Sequence, residues 1–174
     1  MNLTIIHSFS VLVLMISKLH AQSLFTYATM AVDGFTCSQC ALSVENSLRT
    51  LPFVSSVSMD INETEMKIFF VNGIEIDFFK LAKKVYESGF SVRHIRAVLA
   101  PEYIIAENQN LLLNNNAKYV ILSHTPDKDT LNQTLLFVNH KMINKYEYEK
   151  YRKLYSDKFS MYKKRNPIYF VIVE

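Results

Sequence analysis

The chain has 174 residues, 49% of them apolar and 20% charged, with only 3 Gly and 4 Pro and a formal charge of +3. That composition excludes a disordered or collagen-like chain and predicts a packed core, and the small charge excludes the basic footprint of a nucleic-acid binder. Two cysteines, Cys37 and Cys40, are the whole thiol inventory, so no disulfide framework joins distant segments.

The apolar run from Phe9 to Ile16 is followed by Ser17, Lys18, Leu19, His20, Ala21 and Gln22. It is too short to span a bilayer, and residues 1–21 read as a signal peptide cut after Ala21. No Lys or Arg precedes the run and Leu19 stands where a small residue is preferred, so a buried N-terminal strand is the competing reading. No later apolar run is long enough for a membrane, which makes a soluble periplasmic or secreted protein the expectation.

Tyr27 to Asp33 alternates as a strand, with Ala28, Met30 and Val32 on one face and Gly34 ending it. Ala41, Val44, Leu48 and Leu51 then recur as the apolar stripe of a helix stopped by Pro52. Val57, Met59 and Ile61 alternate, Asn62 to Glu65 turn, and Met66, Ile68 and Phe70 alternate again, predicting a hairpin. A second helix opens at Asp77 as N-cap, buries Phe78, Leu81, Ala82 and Val85, and closes at Gly89; Phe90 to Leu99 is a last strand. The order β-α-β-β-α-β predicts an α+β, ferredoxin-like sandwich: a four-stranded antiparallel sheet with two helices on one face.

Residues 22–96 hold 7 basic and 8 acidic side chains, residues 97–174 hold 11 and 8, and 8 of the 10 tyrosines follow residue 96. We therefore expect a boundary between Ala97 and Glu102, dividing a unit over 22–99 from a smaller one over 100–174. No Gly- or Ser-rich linker separates them, so they can pack together. In the second unit, Lys118 to Ser123, Thr134 to Ile143 and Pro167 to Glu174 read as strands. Asn144 to Phe159 reads as one helix, N-capped by Asn144, with Tyr148, Tyr151 and Tyr155 on its core face and Leu154 beside them. This predicts a small, β-rich α+β module with one helix. Lys163-Lys164-Arg165 reads as a solvated loop where an acidic partner could dock.

The chemistry lies in Gly34-Phe35-Thr36-Cys37-Ser38-Gln39-Cys40, between the first strand and the first helix. With Cys40 beginning the helix, both sulfurs lie near unpaired backbone N–H groups and the positive end of the helix dipole, which favour thiolates. Two intervening residues let both sulfurs converge on one small ion, and a two-thiolate set suits a soft, low-coordinate metal such as Cu(I); a closed zinc site needs four ligands. Met30 and Met59 read as core, His94 as an exposed non-ligand histidine, and His140-Lys141-Met142 as a faint copper-binding pattern.

The same residues, followed by Val44-Glu45-Asn46-Ser47-Leu48, Leu51-Pro52-Phe53-Val54-Ser55-Ser56-Val57, Asp60 and Glu87-Ser88-Gly89-Phe90, resemble the signature of heavy-metal-associated domains over about residues 28–98. Copper chaperones, periplasmic mercury-binding proteins and domains of copper-pumping ATPases belong to that family. The resemblance implies Cys37 and Cys40 as metal ligands in an exported bacterial protein with an extra C-terminal module. Phe35 stands where Met is commonest, Phe53 replaces a usual Gly, and Thr36 stands where zinc-selective members carry a carboxylate, which favours a monovalent ion. Phe90 matches the aromatic position that packs beside the metal loop in bacterial members.

No nucleophile with a base, paired carboxylates or phosphate loop stands out, so a non-enzymatic binder is expected. Its partners are a metal donor or acceptor protein of the cell envelope, not nucleic acid, and a monomer is the default. Cu(I) is the first expectation for the ion, with another soft or heavy metal as the alternative. Two other classes compete: a thiol-disulfide oxidoreductase, since such enzymes also place Cys-x-x-Cys at a helix start, and a cell-envelope interaction module in which the pair forms only a local disulfide.

Overall fold

The computed structural model describes residues 23–35, 37–60, 62–114, 116–125, 133–162 and 167–174; the leader over 1–21, Thr36 and the basic run at 163–165 lie outside the described residues. In chain order the first six elements are β1 (Phe25–Asp33), α1 (Ser38–Arg49), β2 (Val54–Asp60), β3 (Glu65–Phe70), α2 (Phe78–Glu87) and β4 (Ser91–Leu99). Each follows from local chemistry. Ala28, Met30 and Val32 of β1 and Ala41, Val44 and Leu48 of α1 are buried, as their two different periods require. The β2–β3 turn is held by the Asp60 carboxylate, which accepts from the N–H groups of Asn62 and Glu63 at 3.0 and 3.2 Å. Asp77 caps α2 by accepting from Lys80 N–H at 3.1 Å. The helix ends in a Schellman motif, with Phe90 N–H donating to Val85 O, Gly89 N–H to Tyr86 O, and Gly89 at a φ of +88°.

Within the sheet these strands run in the order β2-β3-β1-β4, every neighbouring pair antiparallel. That is the ferredoxin-like arrangement, and α1 and α2 share one face of it. Phe53, in place of the usual Gly, is buried in the core.

The sheet does not stop at β4. The second half adds β5 (Leu111–Asn114), β6 (Ala117–His124), β7 (Thr134–Phe137), α3 (Lys145–Leu154), α4 (Ser156–Met161) and β8 (Ile168–Val173). Its strands extend the same sheet to eight, in the order β2-β3-β1-β4-β7-β8-β6-β5. β7 pairs antiparallel with β4, and β8 runs parallel to β6. Alternate residues of β6, β7 and β8 enter two separate cores, one shared with α1 and α2 and one covered on the opposite face by Tyr148, Tyr151, Tyr155 and Phe159. Burial on both faces explains why these strands read as unbroken apolar runs.

Three expectations for this half need correction. The strand expected to reach Ile143 ends at Phe137, because Asn139 leaves the ladder: its amide Nδ2 donates to Ile168 O at 2.9 Å and its Oδ1 accepts from Phe170 N–H at 2.8 Å. The single helix is two, broken at Tyr155 with φ −114° and ψ 34°. Leu154 is 64% exposed, not core-facing, although the tyrosine stripe packs as predicted and Asn144 accepts from Glu147 N–H at 2.9 Å as N-cap.

An aromatic cluster joins the halves. The Phe78 ring of α2 lies 5.3 Å from Phe25 and 4.2 Å from Phe137, and Tyr119 stacks on Tyr169 at 5.1 Å. The Tyr169 hydroxyl also accepts a 3.2 Å hydrogen bond from Phe78 N–H, tying β8 to the start of α2. Phe137 touches Phe25, Phe78, Tyr119 and Tyr169 and is fully buried. Phe137→Ala is expected to destabilise the fold by about 3–5 kcal/mol in urea denaturation, because the cavity lies where both halves meet.

Candidate metal centre

β1 delivers the chain to the site through Gly34, whose φ of +101° suits glycine. A Cβ there would stand 3.4 Å from the Phe90 ring, so the loop lies directly on Phe90. Phe35 closes the same contact with its ring 5.0 Å from that of Phe90. The two phenylalanines are the floor of the loop, and the Schellman motif at Gly89 fixes where Phe90 sits. Phe35 thus supplies apolar volume where Met is commonest, and Phe90 packs at the loop as the resemblance implied.

The helix starts earlier than the apolar stripe predicts. Cys37, extended at φ −156° and ψ 160°, is itself the N-cap of α1, so Cys40 is the third helical residue rather than the first. Cys40 N–H donates to Cys37 Sγ at 3.4 Å and to Cys37 O at 3.1 Å. The two sulfurs lie 2.8 Å apart as thiols, not a disulfide, with Cys37 exposed and Cys40 half-buried. The Cys-x-x-Cys spacing therefore does what the sequence predicts: it brings both sulfurs to one point at the surface, among first-turn N–H groups. Leu42, 46% exposed, lies two residues further along the helix.

Two clamps hold the surroundings. Arg49 pairs with Glu45 at 2.7 Å and donates to Val57 O at 2.7 Å, tying the last turn of α1 to β2. Arg93 of β4 reaches Asp33 at 3.3 Å, Glu63 O at 3.1 Å and Thr64 Oγ1 at 3.1 Å, bracing the end of β1 against the β2–β3 turn. Neither Asp33 nor Arg93 stands out in the sequence, because only the register of β1 against β4 brings them together.

The other sequence candidates lie elsewhere. Met30 is fully buried and Met59 packs against the core, as read. His140 is exposed on a turn, its ring 5.3 Å from Tyr148, whereas Met142 is fully buried, so the faint His–Met pattern does not form one donor set. Among the described residues no group of three or more His, Cys, Asp or Glu is placed to hold an ion.

Residues 29–91 match the family described as the heavy-metal-associated domain. This segment is a heavy-metal-associated domain. Over 66 residues the chain is 32% identical to the copper-transporting ATPase 1 of Rhizobium meliloti (strain 1021), a match covering 38% of this chain and 8% of that protein. The chain thus spans a small fraction of that relative's length. Among solved structures, the yeast copper transporter domain CCC2A, determined in the apo and Cu(I)-loaded states, is 23% identical, covering 37% of this chain and 86% of that one with a TM-score of 0.34. Oxidized MerP from Ralstonia metallidurans CH34 is 26% identical, covering 39% and 96%, with a TM-score of 0.35. Both matches span little more than a third of the chain, about the length of the heavy-metal-associated domain.

On the sheet face away from α1 and α2, His94 corrects the expectation of an exposed histidine. It is half-buried, and its Nε2 lies 3.2 Å from Glu65 Oε1 across Ala31, which pairs with both residues. Burial lowers its pKa below the ordinary imidazole value, helped by the Arg96 charge and opposed by the hydrogen bond that the ring donates to the Glu65 carboxylate. The folded state therefore binds fewer protons than the unfolded one just below that ordinary value, and stability falls as pH drops through about 6.5. His94→Gln is expected to flatten this part of the pH–stability curve, as measured by urea midpoints between pH 7.5 and 5.

Proposed function

We propose that the protein carries or stores a soft, low-coordinate metal ion, Cu(I) foremost, held between the thiolates of Cys37 and Cys40 and passed on by ligand exchange. The observation that supports this most is the convergence of the two sulfurs at the exposed start of α1, inside a heavy-metal-associated domain. Two thiolates complete a site for a two-coordinate soft cation, whereas zinc and hard cations need larger donor sets.

Transfer follows from exposure. A sulfur lies about 2.3 Å from a bound metal, so in a digonal or tetrahedral site the sulfurs stand further apart than 2.8 Å. Loading therefore exchanges the sulfur–sulfur contact for metal bonds. Cys37, the exposed one, is the sulfur that an incoming ligand can approach, while Cys40 sits in the first turn of the helix. An incoming thiolate or thioether reaches the ion from the Cys37 side without a naked ion being released. Phe35 and Phe90 keep the loop from collapsing as this happens.

In this reading residues 22–99 are the metal-handling unit and residues 100–174 an added α+β unit. The protein is an exported, periplasmic or secreted monomer that binds without turnover, and its partners are metal donor or acceptor proteins of the cell envelope. The leader-like residues 1–21 support export. Among the described residues no helix is long and apolar enough to cross a membrane.

An anaerobic Cu(I) titration of the reduced protein against a chromophoric competitor tests the reading. One Cu(I) per chain is expected, lost when Cys37→Ser and Cys40→Ser are combined. Serine is a better N-cap than most residues, so the double variant keeps the helix start and the loss reports ligands rather than folding. Absence of competitive binding, or binding unchanged in the variant, overturns the proposal and makes the reduction potential of the pair the number of interest.

A further inference from the structure

The metal reading leaves unused a groove of about 330 Å³ at the seam between the halves. One wall is the outer face of α2, where Phe79, Ala82 and Tyr86 recur at i, i+3 and i+7; the other is the turn after β7, with His140 and Lys141. Neither half forms this groove alone. Its volume lies at the small end of the range for small-molecule sites, which favour such seams.

The floor is apolar and accessible. Ala82 is buried, while Phe79 is 40% exposed with its ring stacked 5.0 Å from Tyr169. Tyr86 is half-buried and packs against the core. Phe79 is thus open to solvent beside a buried alanine and the half-buried Tyr86, the apolar side of a groove that a small ligand can cover.

The opposite wall is cationic and held in place. Lys141 adopts a φ of +69°, a left-handed conformation that a lysine seldom takes, and its ammonium stands 4.9 Å from the Tyr86 ring. The turn cannot relax easily, because Asn139 is bonded twice to β8 on one side and Met142 is fully buried on the other. Asn144 N–H donates to Arg93 O at 2.9 Å just beyond. On the α2 wall, Lys83 pairs with Glu87 at 3.4 Å, so that carboxylate is already engaged. The groove's balance is one positive charge, presented by Lys141 above an aromatic floor.

We infer that the groove binds a small monocarboxylate with an apolar body, of the aryl or alkyl acid class. The hydrocarbon lies on Phe79, Ala82 and Tyr86, and the carboxylate meets the Lys141 ammonium. An anion with no apolar body leaves the aromatic floor wet, and a cation is repelled by Lys141. The inference does not depend on metal binding, so the Cys37→Ser, Cys40→Ser protein should bind the acid equally well.

Titration of the full chain with phenylacetate, followed by NMR and calorimetry, tests this against acetate and phenethylamine as the two half-matched probes. Saturable phenylacetate binding is expected, tighter than either comparison by about tenfold. Lys141→Gly, which suits the positive φ and removes the ammonium, should weaken it about fivefold. Phe79→Ala should weaken it to a similar degree while acetate binding stays unchanged. Failure to saturate, acetate or phenethylamine binding within twofold of phenylacetate, or unchanged affinity in both variants overturns the inference.

Discussion

β4 is the strand on which the rest of this structure depends. On one side it pairs with β1 and completes the ferredoxin-like sheet; on the other it pairs with β7 and starts the second half. The same strand begins just after Phe90, the floor of the cysteine loop, and carries Arg93, which braces that loop's root. A strand that in a free-standing βαββαβ unit is an exposed edge is here paired on both sides. The metal loop and the added half therefore share one rigid support, and the aromatic cluster around Phe78 and Phe137 locks that support from the helical face.

Rigidity below and exposure above are what a transfer site needs. The loop has two fixed ends, Gly34 against Phe90 and the first turn of α1, while Cys37 stands at the surface between them. Because Cys37 is the N-cap of α1, the helix start and the candidate site are one object: the Cys40 N–H that needs a cap donates to the Cys37 sulfur. A soft ion held there as proposed would be open to a third ligand from the side of the exposed Cys37.

Much of the heavy-metal-associated half was legible because its signals are local. Asp77 and Gly89 mark α2, alternation marks the hairpin, and the cysteine spacing marks the site. In the second half, the runs Tyr119 to Leu122, Leu135 to Val138 and Tyr169 to Val173 revealed strands, since both faces of that sheet are buried. Their neighbours were not legible: no local pattern says that β7 pairs with β4 or that β8 runs parallel to β6. β5 carries no strand signal, because Leu111-Leu112-Leu113 sits among asparagines without alternation. The turn at Asn139 has the sequence pattern of a strand because its hydrogen bonds go to residues about thirty positions away. Likewise, that Cys37 rather than a later residue caps the helix depends on backbone angles that the apolar stripe does not report.

Cys37 and Cys40 are proposed to hold a soft ion at the head of α1 without a further protein ligand. X-ray absorption at the copper edge of the anaerobically Cu(I)-loaded full chain tests this most directly. Two sulfur neighbours and no protein nitrogen are expected; an imidazole nitrogen in the shell, or the same spectrum from protein lacking both cysteines, would overturn the proposal.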